Sequence, residues 1–344
     1  MKIFKPLKIR SLTIKNRIGM SSMCQYSASS NGLVNNWHLQ HWNTRAVGGV
    51  GLIMSEATAI RSDGKLTNGD LCLFNKRQSS SFKYAIEEVH ENGAKFGVQL
   101  VHCGRKSWGR SKGLGPHPIV SCSSIKFDEG WEIPKHLSIK KIHSISDDFA
   151  ESALLAKESG ADLIEIHAAH GYLIHQFLSP ISNSRDDEYG GSIKNRSRFL
   201  EEILKKCRKI LGSTYPIFVR LSCTDWASKN GYNLKQAIET SKIARKAGAD
   251  LIDCSSGGTL PITNPPLREG YQIHFASKIR KAVGVKTAGV GLLKTPEKIE
   301  KYLKDDRIDL AFLGRELLRN PYWLLNLAKS QQTDYIPKQY SRAF

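Results

Sequence analysis

Short apolar runs recur along the chain at 18–23, 50–59, 95–102, 161–167, 216–222, 249–255, 285–290 and 308–313. Most are continuous rather than alternating, the pattern of parallel strands covered on both faces. Between them, segments such as 78–92 and 146–159 carry apolar residues at three- and four-residue spacing, which predicts amphipathic helices. The stretches 195–211, 233–247, 274–282, 295–304 and 322–329 supply the others. Eight strands alternating with helices predict an α/β fold, a (β/α)8 TIM barrel. An internal echo favours it over a doubly wound sheet. Ala-Lys-Glu-Ser-Gly-Ala-Asp-Leu-Ile at 156–164 returns as Ala-Arg-Lys-Ala-Gly-Ala-Asp-Leu-Ile at 244–252, each a helix end, a glycine stop and a strand start. No linker interrupts the pattern, so residues 1–344 read as one domain.

One connection breaks the rhythm. From Gly104 to about Ser144 there is little helical pattern and much Gly, Pro, Ser and Trp. A loop that long after the third strand predicts a capping element on the face where barrels keep their chemistry.

Composition changes this picture little. The chain is 40% hydrophobic and 24% charged, as globular proteins are. No apolar run reaches membrane-spanning length, and charges interrupt the first ten residues, which excludes a signal-peptide core there. Seven cysteines include no CxxC pair, so zinc-ribbon and iron–sulfur frameworks are unsupported, and an odd, scattered set fits a reducing cytoplasm. The net charge is +19, from 51 Lys and Arg against 32 Asp and Glu. The lysines are spread along the chain, which reads as a solvated basic surface rather than a nucleic-acid patch.

The candidate chemistry gathers at strand ends. The fourth strand runs into His167, His170 and Tyr172, and the first into Ser21, Ser22, Met23, Cys24 and Tyr26. Ala57, Gln99, Arg220 and Ser255 follow on the second, third, fifth and sixth. Small residues end the seventh and eighth strands, Ala288-Gly289 and Gly314, with Arg315 beside them. Small residues let backbone N–H groups approach a phosphate that an arginine neutralises. No G-x-G-x-x-G or P-loop is present. A cofactor with one phosphate is implied, and flavin mononucleotide (FMN) is the economical choice. Arg220 suits the ring edge that becomes anionic on reduction, and Gln99 suits its donor–acceptor edge. The pairs His167/His170 and His38/His41 have metal-ligand spacing but no third ligand, so no metal is expected; His38 and His41 read as helix packing.

Together Lys15-Asn-Arg-Ile18, Met23-Cys-Gln-Tyr26, His102-Cys-Gly-Arg-Lys106, Ile164-Glu-Ile-His-Ala-Ala-His-Gly-Tyr172, Ser182-Asn-Ser-Arg-Asp-Asp-Glu-Tyr-Gly-Gly-Ser192, Arg220, Cys254-Ser-Ser-Gly257 and Leu313-Gly-Arg-Glu-Leu317 resemble the old yellow enzyme family of FMN-dependent ene-reductases. The likeness is to its bacterial thermophilic-like branch, which includes NADPH dehydrogenases and xenobiotic reductases. The resemblance implies tightly bound FMN, transient NADPH, and reduction of activated alkenes conjugated to a carbonyl or nitro group. It places Ser21, Ser22, Met23, Cys24, Ala57, Gln99, Arg220, Ala288, Gly289, Gly314 and Arg315 on the flavin. It makes His167 and His170 donors to the substrate's activating oxygen, Tyr26 a positioning group and Tyr172 the proton donor. It also implies that the tail 332–344 reaches a neighbouring subunit of a homodimer or homotetramer, with Arg342 inserted into that subunit's site. Ser22, Cys103 and Phe344 depart from the usual Pro, Ala and Trp, and Ala288-Gly289 reverses the usual order.

Two other readings compete. A tRNA-dihydrouridine synthase is also an FMN barrel and suits the basic charge, but it uses a cysteine acid and usually adds an RNA-binding domain. A non-catalytic nucleic-acid-binding barrel leaves the crowded strand ends unexplained.

Overall fold

Eight parallel strands close on themselves: β1 (Ile18–Met20), β2 (Leu52–Ala59), β3 (Lys95–Val101), β4 (Leu163–Ala168), β5 (Ile217–Ser222), β6 (Leu251–Ser255), β7 (Lys286–Gly289) and β8 (Leu310–Leu313). β8 returns to β1 through Ala311↔Ile18 and Leu313↔Met20. These are the eight apolar runs of the sequence. The computed structural model describes residues 1–330 and 335–344, and only the backbone at 110 and 111. The principal helices around the barrel are α1 (Asn36–Val47), α2 (Lys76–Glu91), α3 (Ile139–Glu158), α4 (Arg198–Leu211), α5 (Leu234–Ala247), α6 (Ile273–Val283), α7 (Pro296–Lys304) and α8 (Trp323–Lys329). Among the described residues, no helix is long and apolar enough to cross a membrane.

The aspartate in the repeated Gly-Ala-Asp-Leu-Ile braces the strand starts. Asp162 and Asp250, with Asp309 in the same position before β8, each accept the N–H of the preceding strand: Phe96 at 2.8 Å, Ile217 at 2.9 Å and Thr287 at 3.0 Å. Each aspartate also pairs with a cation, Lys95, Arg208 and Arg280 respectively, and Asp162 is bonded to His90 as well. Burial raises the Asp162 carboxyl, but bonds from His90, the Phe96 N–H and Lys95 outweigh it and bring the group below its ordinary range.

Two features lie outside the sequence reading. A hairpin of Leu7–Ile9 and Leu12–Ile14 precedes the barrel. Its Leu7, Ile9, Leu12 and Ile14 pack against Leu52, Leu163, Leu251 and Leu310, at or near the strand starts, and so stopper that end. Its strands are three residues long and carry Lys or Thr at the centre, too short to register as a periodic signal. The second concerns the capping loop, which ends at Ser138 rather than Ser144. The Ser138 hydroxyl accepts the Lys141 N–H at 3.3 Å and starts α3. Ile142, Ile145 and Phe149 already face the core there, their spacing masked by Lys140, Lys141 and His143.

The capping loop is ordered by the barrel beneath it. It contains a short helix, Gly109–Lys112, and pairs Val120–Ser121 with Lys135–His136. Arg185 donates to the carbonyls of Cys122 and Leu137, and Arg105 to that of Thr259, which pins the loop at three points.

The C-terminal tail is described from Tyr335 onward; 332–334 of the expected subunit-crossing segment lie outside the described residues. Tyr335 donates to the Lys15 carbonyl at 2.9 Å and packs on Phe4. Arg342 is exposed.

Candidate functional site

At the C-terminal ends of the strands, β4 delivers the His-His-Tyr cluster. The backbone must turn sharply here, and His170 takes a left-handed φ of 57° with Gly171 at 74°. A side chain on Gly171 would meet the Gly258 carbonyl at 2.1 Å. Several bonds hold this turn. The His170 N–H donates to Ser222 Oγ at 2.9 Å, and the Gly171 N–H to His175 Nδ1 at 2.9 Å. Lys106 Nζ donates to the His170 and Gly258 carbonyls at 3.0 and 3.1 Å. Non-glycine residues at positive φ are uncommon and mark places where surroundings impose the conformation.

The imidazoles are neutral and ordered in sequence. The Ala169 N–H donates to His167 Nδ1 at 3.2 Å, so the neutral ring carries its proton on Nε2, which faces His170 Nδ1 at 3.3 Å. His170 then carries its own proton on Nε2, 2.7 Å from Ser255 Oγ. Burial, followed by the charge of Arg220, holds both histidines well below their usual range. The Tyr172 ring lies edge-on to His167, centroids 4.9 Å apart. Burial and the neighbouring thiols Cys103 and Cys24 push its phenol well above the usual range, so it keeps its proton at neutral pH.

The end of β1 supplies the opposite wall. Ser21 is buried, and Met23 lies against the edge of Gly314. Burial, then Asp70 and Glu56, push the Cys24 thiol up to about 12, so it is a thiol and not a thiolate. Tyr26, also at positive φ, stacks on Trp108 of the capping loop with centroids 5.6 Å apart. A bulge in β2 between Met54 and Ala57 breaks the register. Glu56 there accepts the Gln25 N–H at 2.6 Å and pairs with His38 at 2.9 Å. His38 is therefore a buried brace of the β1 loop, and no metal-holding cluster of His, Cys, Asp and Glu occurs among the described residues.

Between these walls Gln99 and Arg220 stand on a buried polar floor. Arg220 pairs with Asp253 at 3.0 Å and reaches the Ser22 carbonyl at 3.4 Å. Gln99 is bonded to Ser22 and Glu165. A cavity of about 580 Å³ opens beside Arg220 and is lined by Tyr271, Gln272, Gly291, Gly314 and Arg315. That volume is within the range of about 300–1,000 Å³ of cofactor pockets. Gly291 sits at φ 129°, a conformation other residues rarely adopt, so the chain passes close to the cavity without a side chain. These residues fit a phosphorylated, planar cofactor: a cation and bare backbone at one end, and a buried amide beside a buried guanidinium at the other.

Two of the expected contacts do not line the cavity, and several residues beside it were not anticipated. Ala288 is buried in the barrel interior, and Gly289 packs where a side chain would strike Ile273 and Ile308. Val290, Gly291 and Leu292 form the cavity wall instead, because the strand crosses the barrel rim only after Gly289. Glu165, Asp253 and Tyr271 were not singled out. The carboxylates were detectable, since Leu163-Ile-Glu-Ile and Leu251-Ile-Asp-Cys each place one acid inside an apolar strand. Arg342 is not among the residues lining this cavity.

Comparison with known proteins agrees with this geometry. The model of the NADH:flavin oxidoreductase / NADH oxidase family matches residues 2–334. An NADPH dehydrogenase of Listeria monocytogenes is 44% identical over 100% of this chain and 99% of its own length. Among solved structures, a 2-naphthoyl-CoA reductase superposes with a TM-score of 0.90 at 26% identity, covering 96% of this chain and 52% of that one. An old yellow enzyme homologue of Zymomonas mobilis superposes at 0.83 with 24% identity, over 97% and 93% of the two chains, and shares the fold.

Proposed function

Because the chain belongs to the NADH:flavin oxidoreductase / NADH oxidase family, we propose that this oxidoreductase takes hydride from NAD(P)H onto FMN and reduces the C=C bond of alkenes conjugated to a carbonyl or nitro group. The observation that carries this reading is the pairing of two neutral imidazoles with a protonated phenol at one strand end, beside a cavity that fits FMN. Gly291, Gly314 and Arg315 would hold the phosphate, and Ser21, Met23, Ala57, Gln99 and Arg220 the ring. Bound FMN would supply hydride to the alkene's β-carbon.

The chain's own groups answer the charge that then develops. His167 and His170 donate N–H to the activating oxygen, and being neutral and preorganised they serve as an oxyanion hole without a buried cation to desolvate. A substrate oxygen replaces the His–His and His–Ser255 contacts of the free site, a fair exchange of one acceptor for another. Tyr172 O–H gives its proton to the α-carbon, an assignment supported by a phenol that stays protonated at working pH. Tyr26 and Trp108 form the aromatic wall that orients a flat substrate. Arg342 of a second copy would complete the site in a homodimer or homotetramer.

Anaerobic titration of the purified protein tests this reading through its visible spectrum. A yellow protein that bleaches with NADPH and recovers its colour with cyclohexenone is the expected result. Recovery with tRNA but not with the enone would move the activity to a dihydrouridine synthase. A colourless protein that FMN does not reconstitute would overturn the proposal.

A further inference from the structure

Beneath Gln99 the barrel interior contains more carboxyl groups than cations. Glu165 and Asp253 are each 1% exposed, and Arg220 is the cation that acts on both. Asp253 takes the direct ion pair with its guanidinium, at 3.0 Å. Glu165 has no such partner: Oε1 accepts from Gln99 Nε2 at 2.7 Å, and Oε2 makes no hydrogen bond. Two buried carboxylates against one guanidinium leave an uncompensated charge in a low-dielectric interior, which proteins avoid by retaining a proton. Gln99 is held at its other end as well, where Oε1 accepts from Ser22 Oγ at 2.8 Å. The amide is therefore clamped nitrogen toward β4 and oxygen toward β1, leaving one donor hydrogen and one lone pair for a ligand.

We infer that Glu165 and Asp253 hold one proton between them, and that Glu165, in its neutral state, is a positioning residue that fixes the direction of the Gln99 amide toward the flavin. The role toward the flavin rests on the function proposed above; the shared proton does not. Burial, reinforced by the charge of Asp253, raises the Glu165 carboxyl far above its ordinary range; Arg220 and the Gln99 N–H act in the other direction without cancelling it. Burial likewise raises Asp253, and Arg220 opposes it. The groups facing Glu165 are thus Asp253 and Arg220 as charges and Gln99 as a neutral donor. At neutral pH the acid form of Glu165 leaves Asp253 and Arg220 as a balanced pair. Raising the pH forms a second carboxylate beside the ring edge that Arg220 serves, which disfavours a reduced, anionic flavin.

The test is infrared spectroscopy of the purified protein, followed by flavin potentiometry on the same variants. Wild type at neutral pH should show the carbonyl stretch of a buried carboxylic acid. Glu165→Gln should lose it by removing the acid, and Asp253→Asn should lose it because the remaining carboxyl ionises against Arg220. With FMN bound, the affinity ratio of reduced to oxidised flavin should fall with rising pH above neutrality by up to about tenfold per pH unit in wild type. The ratio should lose that component in Glu165→Gln. Absence of the band in wild type, or its persistence in both variants, would overturn the shared proton. A band that behaves as expected with a pH dependence unchanged in Glu165→Gln would overturn the positioning role. A wild-type protein with the band that takes up no FMN would overturn the proposed function and the positioning role with it, while upholding the shared proton.

Discussion

The two ends of the barrel solve the burial of charge in opposite ways. At the strand starts, Asp162, Asp250 and Asp309 each receive a strand N–H and at least one cation, so each carboxylate has partners that suit its charge. Higher in the barrel and at the strand ends, Glu165, His167, His170 and Tyr172 are held in or pushed toward the uncharged form by burial, and Asp253 pairs with Arg220. The first arrangement stabilises the fold; the second keeps neutral donors ready for charge that arrives with a substrate. Charged side chains inside one barrel therefore divide by task, according to which rim they occupy.

Substitutions at the two rims should separate stability from activity. The largest effect is expected for the double variant His167→Ala/His170→Ala, whose kcat/KM for cyclohexenone should fall by about a thousandfold with FMN still bound. Steady-state kinetics beside the flavin spectrum would show this, and unchanged kinetics would remove the oxyanion assignment. Tyr172→Phe should slow reoxidation by the enone about a hundredfold while reduction by NADPH changes little. Stopped-flow measurement of each half-reaction separates the two; equal slowing of both would argue against Tyr172 as the acid. At the other rim, Asp250→Ala removes the carboxylate partner of Arg208 and the acceptor of the Ile217 N–H, and should cost about 3 kcal/mol in urea unfolding. Turnover per folded molecule should not change, and a large loss of turnover would contradict the division.

A smaller effect concerns pH. The folded protein keeps His167 and His170 neutral, whereas the unfolded chain protonates them near pH ~6.5. Because the unfolded state binds more protons, stability should decline as pH drops below about 6.5. Thermal melts across pH should show that decline, and it should be shallower in the double histidine variant. The smallest change is expected for Cys24→Ala, which should shift the flavin potential and leave turnover within about tenfold. Complete inactivation would show that the thiol does more than pack against the ring.

What was legible in the sequence followed the same division. The repeated Gly-Ala-Asp-Leu-Ile announced the βα unit, because helix stop, brace and strand start are neighbours in sequence. His167, His170 and Tyr172 were legible because polar side chains crowd one strand end. Glu165 and Asp253 were not, since their meaning comes from Arg220 and Gln99 across the barrel, contacts that no local pattern encodes. The cavity is lined by Val290, Gly291 and Leu292 rather than by Ala288-Gly289, because a strand's last residue and the rim where it emerges differ by a residue or two. The N-terminal hairpin escaped notice for a different reason: its short strands acquire order only by packing into the barrel.

That hairpin also bears on kinetics. With Leu7, Ile9, Leu12 and Ile14 filling the far end of the barrel, the interior has no passage through it. Under the function proposed above, a dinucleotide donor and an alkene acceptor would both enter from the opposite rim and use the ring one after the other. Each would then compete with the other when in excess, so double-reciprocal initial-rate plots should give parallel lines that curve upward at high concentration of either. Flux would then be set by the ratio of donor to acceptor as well as by their amounts.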